Sequence, residues 1–180
     1  MLRPPRVKLL SLSHREMCLC PYCLNVKYKV LALNRHIAIN KLDASLKMQD
    51  EKELVDLILC DREGQRFHKY NCVFGSCDEC KNVQTTIRDH FQQLLDITPS
   101  PIVSWNRWER RAGKDGKIRR VMVTKQNAVD ELIAELCDDD ILKPCQGVTF
   151  MEHLFIADWQ SNQYQHLKSN LPSGWALLVM

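Results

Sequence analysis

The stretch Pro101-Ile-Val-Ser-Trp-Asn-Arg-Trp-Glu-Arg-Arg111 alternates as a β-strand does, with Ile102, Ser104, Asn106 and Trp108 offset from Val103, Trp105 and Arg107. Gly113-Lys-Asp-Gly116 follows as a turn, and residues 118–125 supply a second strand. The two runs read as a β-hairpin. Around it the periodicity is helical, so the hairpin sets the class as α+β. Upstream, Val26, Val30, Leu33 and Ile37 fall at i, i+4, i+7 and i+11, with Asn25 as N-cap. A second helix is expected over 51–60, with Leu54, Val55, Ile58 and Leu59 on one face. A third begins near Lys81, turns Val83, Ile87, Phe91 and Leu94 inward, and stops before Thr98-Pro-Ser-Pro101. Downstream of the hairpin, Asn127 caps a helix carrying Val129, Leu132, Ile133 and Leu136, which Asp138-Asp-Asp140 and Pro144 close. A longer helix is expected over 149–169, with Phe150, Leu154, Phe155, Trp159 and Leu167 as its apolar side. Pro172-Ser-Gly174 then turns into a terminal strand, 175–180.

The chain divides accordingly into a basic arm (1–13), a mainly helical, cysteine-rich region (14–98), and a hairpin-helix-helix-strand segment (99–180) that reads as incomplete at its C-terminal end. Of 180 residues, 45% are hydrophobic and 26% charged, which argues against wholesale disorder. No run reaches the roughly 18 apolar residues of a membrane span. The apolar part of Met1-Leu-Arg-Pro-Pro-Arg-Val-Lys-Leu-Leu is too short and broken for a signal peptide. The expected setting is therefore reducing, nuclear or cytoplasmic, with no membrane partner and no small-molecule substrate. The net charge of +3 is too small to argue for nucleic-acid binding by itself.

Nine cysteines are present, an odd number that cannot all pair within one chain. In a reducing compartment clustered cysteines more often bind metal than each other. Two CxxC pairs stand out, Cys20/Cys23 and Cys77/Cys80. Each brings two sulfurs to one tetrahedral ion, so the pairs together would make a closed, structural zinc site stapling the start of the region to its end. Cys18, Cys60 and Cys72, with His68, would raise the count to eight ligands, enough for a second zinc ion. The alternative for Cys60 is a place on an apolar helix face, and free thiols do pack as small hydrophobes. Cys137 and Cys145 lie outside the cluster and read as structural. His90, His153 and His166 fall within helices and read as surface or core histidines. A thioredoxin-type role for Cys20-Pro-Tyr-Cys23 would need a preceding strand, and a basic arm stands there instead.

The order of these features carries a resemblance. Cys18-Leu-Cys20-x-x-Cys23-x-Asn25, a helix, and a Cys60…Cys72…Cys77-x-x-Cys80 block come first. Then follow Trp105-x-x-Trp108 in a hairpin, Phe150-Met-Glu-His153, Gln160 and Leu171-Pro-x-Gly174 before an apolar strand. From about residue 15 to 180 the chain resembles uncharacterised transposon-derived proteins of animal genomes. In those proteins the apolar strand looks like the first strand of an RNase H-like, DDE-type transposase fold. The resemblance implies that the first catalytic carboxylate of such a fold would come after Met180. This chain, as a truncated form, is then expected to lack nuclease or transposase activity, since that chemistry needs carboxylates to position two metal ions. Asp138-Asp139-Asp140 reads as a solvated helix end rather than a substitute.

The resemblance also implies a DNA partner, because transposase zinc modules commonly recognise transposon ends. The sequence supplies a candidate surface. Residues 102–121 hold Arg107, Arg110, Arg111, Lys114, Lys117, Arg119 and Arg120 against Glu109 and Asp115, a local charge of +5. Such cations neutralise phosphates, a two-stranded ribbon can enter a major groove, and Trp105 or Trp108 could stack on an unpaired base. The alternative puts the tryptophans on the core side and the basic residues on the wet side. A second class of function stays open: a zinc-stapled protein-interaction module without a nucleic-acid role.

Overall fold

A computed structural model of the chain describes residues 20–80, 82–143, 148–172 and 174. The basic arm, Cys18, Cys145 and the terminal strand expected over 175–180 lie outside the described residues. Those described form seven α-helices and one two-stranded antiparallel hairpin, an α+β arrangement. In chain order these are α1 (Pro21–Ile39), a 3₁₀ turn (Ala44–Leu46), α2 (Glu51–Ile58), α3 (Tyr70–Val73), α4 (Val83–His90) and α5 (Gln92–Leu95). Then come β1 (Ile102–Ala112), β2 (Ile118–Ala128), α6 (Val129–Glu135), a π-helical segment (Leu136–Leu142) and α7 (Phe150–Ser169).

Local chemistry sets the ends of these elements. Pro21 opens α1, where its missing N–H would have had no helical partner anyway. Asp50 caps α2 by accepting from the N–H groups of Lys52 and Glu53, and Asn82 caps α4 through Thr85. Thr149 and Glu152 form a reciprocal capping box at the start of α7. The hairpin turn closes with Gly113 N–H donating to Lys117 O, and Gly116 takes φ +71°, a conformation that favours glycine.

Several expectations change, among them the solvated helix end expected at Asp138–Asp140: Asp140 is buried within the π-helical segment, beside Lys29. α1 begins at Pro21 and is capped by Cys20, so Asn25 lies inside the helix, where it serves the hairpin instead. α2 ends at Ile58, short of Cys60, because Leu59 turns to extended backbone. β2 continues to Ala128, so Asn127 belongs to the strand and Ala128 precedes α6 without a side-chain cap. On α7 the expected apolar side is buried only at its start: Phe150 is enclosed, while Trp159 and Leu167 are exposed.

One buried apolar cluster draws on Val26, Leu33 and Ile37 of α1, Leu54 and Ile58 of α2, and Ile87, Leu132, Ile133 and Phe150. β1 contributes Val103 and Trp105, after which burial fades along the strand and the distal hairpin is exposed. Lys29 sits within this core, fully buried, with Nζ 2.8 Å from Glu135 and bonded to Asp140. Arg107 and Lys125 join the same carboxylates from the hairpin root. A lone buried charge would be very costly, so the group persists only because each member is matched. The cations hold the Glu135 carboxyl down to about 2 despite its burial, whereas burial pushes Asp140 above the usual range.

Candidate metal centres and the basic hairpin

The two CxxC pairs fall in separate groups. In the first, Cys60 follows α2, Cys72 stands on α3, and Cys77 and Cys80 sit in the turn beyond it; the four sulfurs all lie within 4.8 Å of one another. Cys60 Sγ is 3.8 Å from both Cys77 Sγ and Cys80 Sγ. A tetrahedron with Zn–S arms of about 2.3 Å has edges of about 3.8 Å. A disulfide would need about 2.05 Å, and these cysteines form none. The arrangement fits a closed site with four thiolates. Burial, and then the neighbouring sulfurs, push the Cys72 thiol up to about 12. The Cys60 thiol is raised chiefly by its contact with Cys80, while the Glu79 backbone N–H lowers Cys77.

His68 stands beside this group rather than among its sulfurs. Its Nδ1 is 2.9 Å from the carbonyl oxygen of Cys60 and its Nε2 is 2.7 Å from Asp56 Oδ1. Arg62 binds the other oxygen of Asp56. The imidazole thus contacts the backbone of a candidate ligand residue, Cys60, and is itself held by the Asp56 carboxylate.

The second group joins Cys20, Cys23 and His153. Cys20 and Cys23 flank the first turn of α1, where Cys20 Sγ accepts from the Cys23 N–H at 3.4 Å. His153 lies on the first turn of α7, set by the Thr149–Glu152 capping box. Its Nε2 is 3.3 Å from Cys20 Sγ, close to the roughly 3.5 Å edge that Zn–S and Zn–N arms subtend. The rings of Tyr22 and His153 meet edge-on at 5.7 Å. Burial lowers the His153 pKa, which favours the neutral, metal-binding imidazole. Nothing in the spacing of the sequence marks His153 as a partner of cysteines 133 positions away; the capping box alone hints at its placement. Cys137 is buried in the core.

The hairpin residues separate by position. Trp105 is 4% exposed and packs in the core, the alternative weighed for it, and Arg107 is engaged by Glu135, Asp139 and Asp140. Toward the turn, Arg111 pairs with Glu109 and Arg119 with Asp115. Arg110, Lys114, Lys117 and Arg120 have no carboxylate partner within ion-pair distance among the described residues.

Asn25 connects the second group to this hairpin. Its side chain accepts from Trp108 N–H at 2.7 Å and donates to Trp108 C=O at 3.2 Å, filling both backbone sites on the free edge of β1. A cleft of about 450 Å³ lies where they meet, walled by Cys20 and His153 on one side and Trp108, Arg110 and Arg120 on the other. No helix among the described residues is long and apolar enough to cross a membrane. No protein-family model, curated protein or solved structure matches the chain.

Proposed function

We propose that this chain is a zinc-stabilised nucleic-acid-binding region of a transposase-like protein, without catalytic activity of its own. The observation that carries the reading is the junction of the Cys20–Cys23–His153 group with a basic hairpin whose Arg110 and Arg120 lack carboxylate partners among the described residues. Zinc is the ion of choice because thiolate and imidazole donors at tetrahedral spacing suit it, and the reducing setting expected from the sequence leaves the thiols free. The DNA-facing residues are then Arg110, Arg111, Lys114, Lys117, Arg119 and Arg120, all exposed. The half-buried Glu135 and the buried Asp140 are both matched by Lys29 and Arg107, and Glu135 also by Lys125, which supports a structural use for them.

Fluorescence anisotropy with a labelled duplex, at about 50 and about 200 mM salt, tests the reading. Binding that weakens steeply with salt is expected. Absent or salt-independent binding would sink it, and divalent-metal-dependent cleavage of the duplex would overturn its non-catalytic part. One observation favours the protein-interaction reading: Ile156, Trp159 and Leu167 are exposed along α7. In that case the chain leaves DNA unbound at either salt concentration.

A further inference from the structure

We propose that the cleft between the second metal-ligand group and the hairpin is a seat for a phosphate group of the nucleic-acid backbone. The inference rests on the nucleic-acid reading above and deepens it by naming where the backbone docks. Arg110 and Arg120 are direct cross-strand partners. Side chains so paired have Cβ atoms about 5 Å apart, and like charges there repel. Elsewhere on the hairpin that repulsion is relieved: Arg111 and Arg119 are also cross-strand partners, but each has its own carboxylate, Glu109 and Asp115. Arg110 and Arg120 have no such partner among the described residues, and both line the cleft. The one acidic residue in its wall, Glu109, is already bonded to Arg111 at 2.9 Å and lies 3.8 Å from Lys125.

An anion is what this arrangement lacks. Two guanidinium groups offer a planar array of donors matched to phosphate oxygens. The cleft has room for a phosphodiester, and Trp108 supplies a flat wall beside it. Its geometry is fixed from both ends. Asn25 clamps the backbone of Trp108, two residues from Arg110, and the same helix carries Cys23 of the metal-ligand group. The pose of the arginine pair therefore depends on the order of the second centre.

The test uses the full, zinc-loaded chain. Arg110→Gln/Arg120→Gln is compared with Lys47→Gln/Lys168→Gln, which removes the same charge at exposed positions away from the hairpin. Duplex binding is measured by anisotropy across a salt series. The cleft variant is expected to lose about tenfold or more in affinity, and its slope of log K against log salt to fall by about 0.9 for each phosphate contact removed. The control variant is expected to lose no more than about threefold, as unspecific charge would. In parallel, inorganic phosphate is titrated while the side-chain Nε–Hε signals of Arg110 and Arg120 are followed by NMR. Their movement, saturable in the wild type, is the expected result.

Equal losses from the two variants, or arginine signals that stay fixed, would overturn the seat. A wild type that binds duplex with unchanged affinity in the cleft variant also overturns it, and leaves the nucleic-acid reading standing. The converse is distinguishable. Saturable phosphate shifts with no duplex binding support an anion site and refute the nucleic-acid partner.

Discussion

The Cys60–Cys72–Cys77–Cys80 group takes its sulfurs from positions no more than 20 apart, whereas the Cys20–Cys23–His153 group joins side chains 133 positions apart. The donor chemistry is similar, but the mechanical consequence differs. A cross-link inside a short segment orders that segment. A cross-link between α1 and α7 constrains the unfolded chain over most of its length. Loop-closure entropy alone favours the long link by roughly 1.7 kcal/mol, from the ratio of the two separations. The short link compensates locally. The segment it holds buries only Cys72 and Val73 fully between residues 61 and 80, so it has little core of its own.

Under the proposed loading with two ions, their removal is the largest perturbation and probes what the two candidate centres share. Structural zinc in small peptides contributes about 10 kcal/mol or more. Chelation at neutral pH is expected to abolish a cooperative thermal transition by circular dichroism; an unchanged melt would break the account of both centres at once. Separating the centres comes next. His153→Ala is expected to lower global stability by about 2–4 kcal/mol, as loss of a long-range cross-link does. Cys72→Ser should instead open residues 61–80 to proteolysis while leaving most of the melting transition in place. If both variants give the same pattern, the contrast between local and global roles fails.

A smaller effect is expected at the joint between the second centre and the hairpin. Asn25→Ala leaves the Trp108 N–H and C=O unsatisfied in a partly buried site, at a cost of about 1–3 kcal/mol. Hydrogen exchange at the Trp108 amide reports it directly and should quicken, with exchange near Cys72 unaffected.

The smallest difference is one of pH response. With Cys72 pushed up to about 12 and Cys60 raised, these two thiols hold their protons at neutral pH when no metal is bound, and an ion binding there must displace them. Burial shifts His153 down, which favours the neutral imidazole, so this ligand has no proton to release at neutral pH. As pH falls, protons compete for these positions. Metal affinity at the four-cysteine group should decline more steeply than at the Cys20–Cys23–His153 group. Metal release followed with a chromogenic chelator, using the single-site variants to isolate each group, would show equal slopes if this is wrong.

What the sequence made legible was whatever depends on near neighbours. The hairpin follows from alternation plus the Gly113–Gly116 turn, and α7 from the spacing of its apolar residues, beginning with Phe150, Leu154 and Phe155. CxxC marks candidate metal-ligand residues because two sulfurs on one turn can share an ion. How the pairs are apportioned is a long-range question that spacing does not encode. Cys77 and Cys80 close with Cys60 and Cys72, while Cys20 and Cys23 find a histidine far along the chain. Asn25 shows the same limit. Its type and place suit an N-cap, but Cys20 holds that position three dimensionally, and the amide instead matches the free edge of a strand 83 positions away. Lys29 breaks the apolar rhythm of α1 and would read as solvent-facing; only the carboxylates of α6 and the π-helical segment make its burial tolerable.

The central claim is that the cysteines serve two ions rather than one. Zinc content per chain, measured by native mass spectrometry on the wild type, Cys72→Ser and His153→Ala, tests it most directly. The account predicts two ions in the wild type and one in each variant. A single ion in the wild type, lost in both variants, would show one shared site and contradict it.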